Sequence, residues 1–168
     1  GAKIVTLGNA GVLGVVQPEP LVAVATSQQL PQQRIMGMAL SPDGSQLLAG
    51  HWDNTEIEIY SISNVENGFL NFQGKFSAPG MGTITGIRYS ADGKNVYYTS
   101  YGGNGIVTAN RAANGALTFA DSLTSSSVRI CGVNPIKLCP IATMGGARAL
   151  DISPDDKNVY VTGINDAS

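Results

Sequence analysis

Charge, cysteine, histidine and long apolar runs are all scarce in this chain, and each scarcity removes a class of function. Of 168 residues, 13% are charged, Lys and Arg number 10 against 12 Asp and Glu, and the formal net charge is −2. So weak a charge, spread without runs, gives no electrostatic footprint for nucleic acid and no polybasic arm for a membrane surface. No apolar run approaches the roughly 20 residues a bilayer-spanning helix needs, so no membrane span is expected. No basic region precedes an apolar segment in the manner of a signal peptide. The chain starts at Gly1 rather than Met, as expected where a leader has been removed or where a longer protein continues before it.

There is one histidine, His51, and there are two cysteines, Cys131 and Cys139, with seven residues between them. Zinc ligands come in closer pairs with two further His or Cys elsewhere, so neither a metal nor a cofactor is expected. A disulfide pinning a long loop is the favoured reading, with two unpaired, semi-buried thiols as the other. A disulfide places the protein in an oxidising compartment: extracellular, cell-surface or periplasmic. No nucleophile elbow, phosphate loop or zinc-protease motif is present, and "GGNG" at 102–105 lacks the following helix of a dinucleotide site.

What the chain has in plenty is glycine, 21 residues, with 8 prolines, set between short alternating segments. "MGMALSPDG", "SQLLAGHWDN", "TEIEIYSISNVENG" and "FLNFQGKFSAPG" each carry period-2 alternation closed by Gly, Asn, Asp or Pro, the pattern of consecutive antiparallel strands. The set recurs as "TGIRYSADG", "KNVYYTSYGGN", "GIVTANRAANG" and "ALTFADSL", and half of it returns as "RALDISPDD" and "KNVYVTGINDAS". The serines that open the three turns, Ser41, Ser90 and Ser153, lie 49 and 63 residues apart, the longer interval holding the cysteine loop. Three strand-like segments at the start, "AKIVTLG", "GVLGVVQPEP" and "LVAVATSQQ", fit the second, third and fourth places of a preceding set. No helix is expected.

A four-strand unit repeating at this period predicts an all-β chain of β-propeller blades, with about three blades visible and the ring incomplete. The expected division is a partial blade at 1–35, blades at 36–80 and 81–125, a disulfide-pinned loop at 126–147 and the first half of a further blade at 148–168. The Ser-Pro-Asp-Gly turns have a structural reason to recur, since Pro presets φ while Asp and Gly suit the remaining turn geometry. Turn chemistry is accordingly expected of Asp43, Asp92, Asp155 and Asp156, and Glu56 and Glu58, alternating along one strand, are read as a solvated face.

The wording "SPDDKNVYVTG" and "SADGKNVYYTS", each beginning a hairpin, and the later "ANGALTF" resemble the bacterial YVTN-type and lactonase-like propeller repeats. In that family the loops after the second strand and after the fourth gather on one face, where ligands bind. Carried over position by position, the resemblance implies a ligand or partner face holding Arg34, His51, Trp52, Asp53, Tyr101, Asn104, Arg129, Lys137 and Asn165. Within "GHWDN", a His near an Asp has the makings of a base and its orienting partner, although neighbouring strand residues point to opposite sides. The family's lactonases gather their acidic, Asn, His and Arg set at the channel from several blades, and three partial blades do not allow that set to be matched residue by residue, so no catalytic residue is assigned. The expected function is a non-catalytic extracellular or surface segment acting as a structural or protein-interaction module, completed by a protein partner or by copies of itself. The alternative is a section of a lactonase-like or periplasmic quinoprotein-type propeller enzyme.

Overall fold

The computed structural model describes residues 4–7, 12–18, 21–23, 28–29, 34–64, 69–79, 82–124, 128–133, 136–140 and 144–164, with side chains for 34–63, 70–79, 82–124 and 144–164. Among these residues every regular element is a strand. A first sheet holds β1 (Ile4–Leu7), β2 (Val12–Pro18), β3 (Leu21–Ala23) and β4 (Gln28–Gln29), with β3 and β4 both pairing along β2 as one interrupted strand. Two complete antiparallel four-stranded meanders follow. The first is β5 (Ile35–Leu40), β6 (Gln46–His51), β7 (Ile57–Asn64) and β8 (Phe69–Phe76). The second is β9 (Ile84–Tyr89), β10 (Asn95–Ser100), β11 (Gly105–Arg111) and β12 (Leu117–Thr124). A hairpin of β13 (Val128–Val133) and β14 (Ile136–Pro140) comes next, and β15 (Ala149–Ile152) pairs with β16 (Val159–Thr162).

The strands begin and end where the turn chemistry says they should. In the turn from β5 to β6, Gly44 N donates to Ser41 O at 2.8 Å with Gly44 at φ 70°. The Asp43 carboxylate accepts from Ser41 Oγ at 2.6 Å, Ser45 Oγ at 2.7 Å and Ser45 N at 3.0 Å. The same scheme returns at Ser90, Asp92 and Gly93 (φ 69°) and at Ser153, Asp155 and Asp156. A carboxylate that caps amides in this way replaces the ladder bonds the turn cannot make.

The two complete sheets pack face to face around one apolar core. Leu48, Ile57, Ile59 and Phe76 of the first meet Ile84, Ile87, Val96, Tyr98 and Val107 of the second. Burying each of the larger aliphatic side chains contributes about 2 kcal/mol. The closest approach is at Gly50, where a Cβ would stand 2.4 Å from Ile84 Cγ2, so only glycine lets β6 come so near the next sheet. The first strands succeed one another in space, β5 against β9 and β9 against β15. Blades whose innermost strands pack in succession along an arc form a propeller-type arrangement, and among the described residues the arc does not close.

Two features differ from the sequence reading. The 126–147 segment carries a hairpin, with Val133 opposite Ile136, because "VRICGV" and "IKLCP" are themselves short β-rich runs on either side of an Asn-Pro pair. Glu58 is not on a solvated face: it is 3% exposed, whereas Glu56 is partly exposed and pairs with Lys75 at 2.8 Å.

Candidate functional site

At the ends of β6 and β10, where the connections to β7 and β11 leave the sheets, contacts run across three successive sheets. Trp52 N donates to Arg34 O at 2.8 Å, and the Arg34 guanidinium grips Asp53, Nη2 to Oδ1, at 2.6 Å. The paired charges hold the Asp53 carboxyl below its ordinary value and the guanidinium above its own, mainly through the hydrogen bond between them. This ion pair is well exposed and adds little stability, but it fixes the loop that carries Trp52.

The Trp52 ring lies 5.4 Å from that of Tyr101 at an interplanar angle of 36°, one ring from each complete sheet. Thr83 Oγ1 donates to Trp52 O at 2.9 Å, and Tyr101 N to Thr83 O at 2.8 Å. Gly82 and Gly102 approach so closely that a Cβ on Gly82 would stand 2.6 Å from Gly102 Cα. Asn104, at φ 50°, accepts from Gly146 N at 2.8 Å and carries the contacts on to the segment before β15. Arg34, Trp52, Asp53, Tyr101 and Asn104 thus share one continuous rim.

His51 does not join them at the surface. It is 1% exposed and turns into the face of its own sheet, where Nε2 lies 3.2 Å from Glu58 Oε2 without the alignment of a hydrogen bond. Nδ1 is buried without a hydrogen-bond partner. Tyr60 Oη donates to Glu58 Oε2 at 2.5 Å, and burial, followed by that carboxylate, pushes the Tyr60 phenol well above its ordinary value. The carboxylate beside His51 is therefore Glu58 of β7, two strand positions from Tyr60, and not the nearby Asp53. Tertiary pairing set this, since β6 and β7 run antiparallel with Gly50 opposite Ile57.

Arg129 and Lys137 lie on β13 and β14, and Cys139 is paired in backbone register with Arg129 while Cys131 falls at the irregularity between Ile130 and Gly132. The side chains of these four residues, and Asn165 altogether, lie outside the described residues. Among the described residues no three His, Cys, Asp or Glu side chains gather as metal ligands.

A second constellation escaped sequence reading. Between the two complete sheets opens a cleft of about 510 Å³ bordered by Gln46, Ser61, Lys75, Phe76, Arg111 and Asn114. At its base Arg111 donates to Asp43, Ser45 and Gln46 and lies 5.7 Å from the centre of the Tyr89 ring. Gln46 also accepts from Tyr89 Oη and donates to Gly115 O, both at 2.7 Å. These groups satisfy one another and act as a polar bolt between sheets. No sequence motif marks them, because they come from five separate strands and turns.

No family model matches the chain, and no curated protein matches it. Among solved structures it is similar to hydrazine synthase from Kuenenia stuttgartiensis, a β-propeller-containing protein, with a TM-score of 0.63 at 18% identity. The match covers 94% of this chain and 37% of that one, so the chain spans little more than a third of its structural relative. At that identity the likeness carries the fold alone, and the fold is that of β-propeller blades.

Proposed function

We propose that this chain is a non-catalytic segment of an extracellular, cell-surface or periplasmic β-propeller of the YVTN type, serving as a structural or protein-interaction module completed by further blades or other subunits. The observation that carries the reading is the rim itself. Arg34 and Asp53 neutralise each other, Trp52 and Tyr101 meet in a tilted ring contact across two blades, and the lone histidine is 1% exposed, away from any diffusing substrate. A rim so tied together presents a rigid, partly aromatic contact surface rather than a base poised beside a nucleophile. A disulfide between Cys131 and Cys139 belongs to the same proposal and motivates the oxidising compartment.

The second reading, a section of a lactonase-like or quinoprotein-type propeller enzyme, has in its favour that the similar structure is named for a synthase and is much the longer chain. The deciding experiment follows a panel of lactones by pH-stat with the purified protein and takes its intact mass with and without reductant. The module reading expects no turnover and a non-reduced mass lower by two hydrogens. Turnover above the buffer rate overturns it in favour of the enzyme.

A further inference from the structure

Strand β8 carries an extra residue where it faces β7. Ile59 pairs with Gly74 and Tyr60 with Phe72, so Gln73 is the added residue of a β-bulge, and Gly74 beside it takes φ 148°, a backbone that residues with a side chain rarely adopt. The bulge turns Gln73 into the lining of the cleft between the two complete sheets, where Nε2 donates to Ser61 Oγ at 2.9 Å and to Asn71 O at 3.3 Å. Asn114 borders the same cleft from the turn between β11 and β12 of the other sheet, its Oδ1 accepting from Ala116 N at 3.1 Å. Both walls thus belong to four-stranded sheets that are complete.

What the cleft offers a ligand is largely uncharged. Its two bordering cations each already hold a carboxylate, Arg111 with Asp43 at 3.1 Å and Lys75 with Glu56 at 2.8 Å, and neither carboxylate is itself in the lining. Hydrogen-bonding groups remain. Asn114 Nδ2, a donor, and Gln73 Oε1, an acceptor, have no partner among the described residues, and the Lys75 ammonium has N–H groups beyond the one on Glu56. The wall behind them is apolar, made by Ile59, Phe76 and Leu117 where the core reaches the cleft. At about 510 Å³ the space falls within the range of small-molecule sites, about 300–1,000 Å³.

We infer that this cleft binds a neutral, polyhydroxylated ligand of the class of a short oligosaccharide. A sugar matches it on both counts. Each hydroxyl can donate and accept, as Gln73 Oε1 and Asn114 Nδ2 require, and the C–H face of the ring suits the apolar wall. An anion, by contrast, would have to compete with Asp43 and Glu56 for the two cations. A ligand held by Gln73 on one sheet and Asn114 on the other spans neighbouring blades. The site shares no residue with the rim or with His51, so the inference goes beyond the module reading, and the outcome of the lactone assay leaves it untouched.

Isothermal titration of the full 168-residue chain tests it, with maltotriose, cellotriose and diacetylchitobiose as neutral probes and trigalacturonate and inorganic phosphate as anionic ones. Expected are saturable one-to-one binding of at least one neutral sugar, a higher melting temperature in its presence, and at least a tenfold loss of affinity in Gln73→Ala and in Asn114→Asp. Both residues are exposed, so the variants keep the fold, and Asn114→Asp retains the oxygen that accepts from Ala116 N while losing the amide donor. Trp52→Ala, on the rim, should bind as the unaltered chain does. Binding of none of the neutral sugars overturns the inference, as does unchanged affinity in either cleft variant, which would put the site elsewhere. Tighter binding of trigalacturonate or phosphate than of every neutral sugar also overturns it, because the cations would then govern the cleft.

Discussion

The side-chain amide of Gln46 donates to the backbone carbonyl of Gly115 over 2.7 Å, joining sheets whose residues stand 69 apart in sequence. The same amide oxygen accepts from Tyr89 Oη and from Arg111 Nε, so a single buried glutamine closes three interactions between neighbouring blades.

Gln46→Ala leaves three former partners without their contact in a site of low exposure. Each buried orphan costs about 1–3 kcal/mol, with partial recovery where water enters, so a loss of about 3 kcal/mol is expected. Urea unfolding checks it: the midpoint falls while the slope stays unchanged. A loss below ~1 kcal/mol would show that the bolt does not hold the blades.

Tyr60→Phe takes from Glu58 its only aligned side-chain donor among the described residues and leaves a buried carboxylate beside His51. The expected cost is about 1–3 kcal/mol. Replacing both residues, as Glu58→Leu with Tyr60→Phe, should recover part of it, because no buried charge is then left unpaired. Thermal unfolding of the single and double variants reads the difference.

Asp156 occupies the turn position that Gly44 and Gly93 hold in the other copies, at φ 56°, and its carboxylate accepts from Ala91 N of the neighbouring hairpin turn at 2.7 Å. Asp156→Ala keeps the left-handed backbone and loses the bond, at an expected cost of about 1–2 kcal/mol. Asp156→Gly relieves the backbone while losing the bond, so it should be the milder change. Equal melting temperatures for the two would show that strain is not stored there.

Acid should loosen the turns first. Hydrogen bonds from Ser41, then from the Ser45 amide and hydroxyl, hold the Asp43 carboxyl far below its ordinary value, and Asp92 and Asp155 are lowered in the same way. In the ordinary carboxylate range near pH 4 the unfolded chain then binds more protons than the folded one. The stabilisation is complete above that range and is lost as pH falls through the folded values. Urea midpoints should hold from pH 7 to about 5 and drop below about 4, and Asp43→Asn should flatten the drop.

The blades were legible in the sequence because a blade is a local object. Its strands follow one another, its alternation has period 2, and its turns reuse Ser, Asp and Gly in one hydrogen-bond scheme, so Ser41, Ser90 and Ser153 mark the repeats unaided. The rim was legible in part: Trp52 and Tyr101 hold the same repeat position, which is why they meet across blades. Glu58, Gln46 and Arg111 were not legible, since their roles arise from which strand faces which, and period-2 alternation says only that a residue points to one of two faces. The β13–β14 hairpin was hidden by the cysteine spacing, which drew attention to a loop.

The most direct test of the account substitutes the same repeat position in two blades and compares urea unfolding of Leu48→Ala and Tyr160→Ala. If the sheets are successive blades of one arc, Leu48, enclosed by the next blade, loses about 3 kcal/mol, while Tyr160, with no blade beyond it among the described residues, changes stability by no more than about 0.5 kcal/mol. Equal losses at both positions, or a larger one at Tyr160, would contradict the open-arc account.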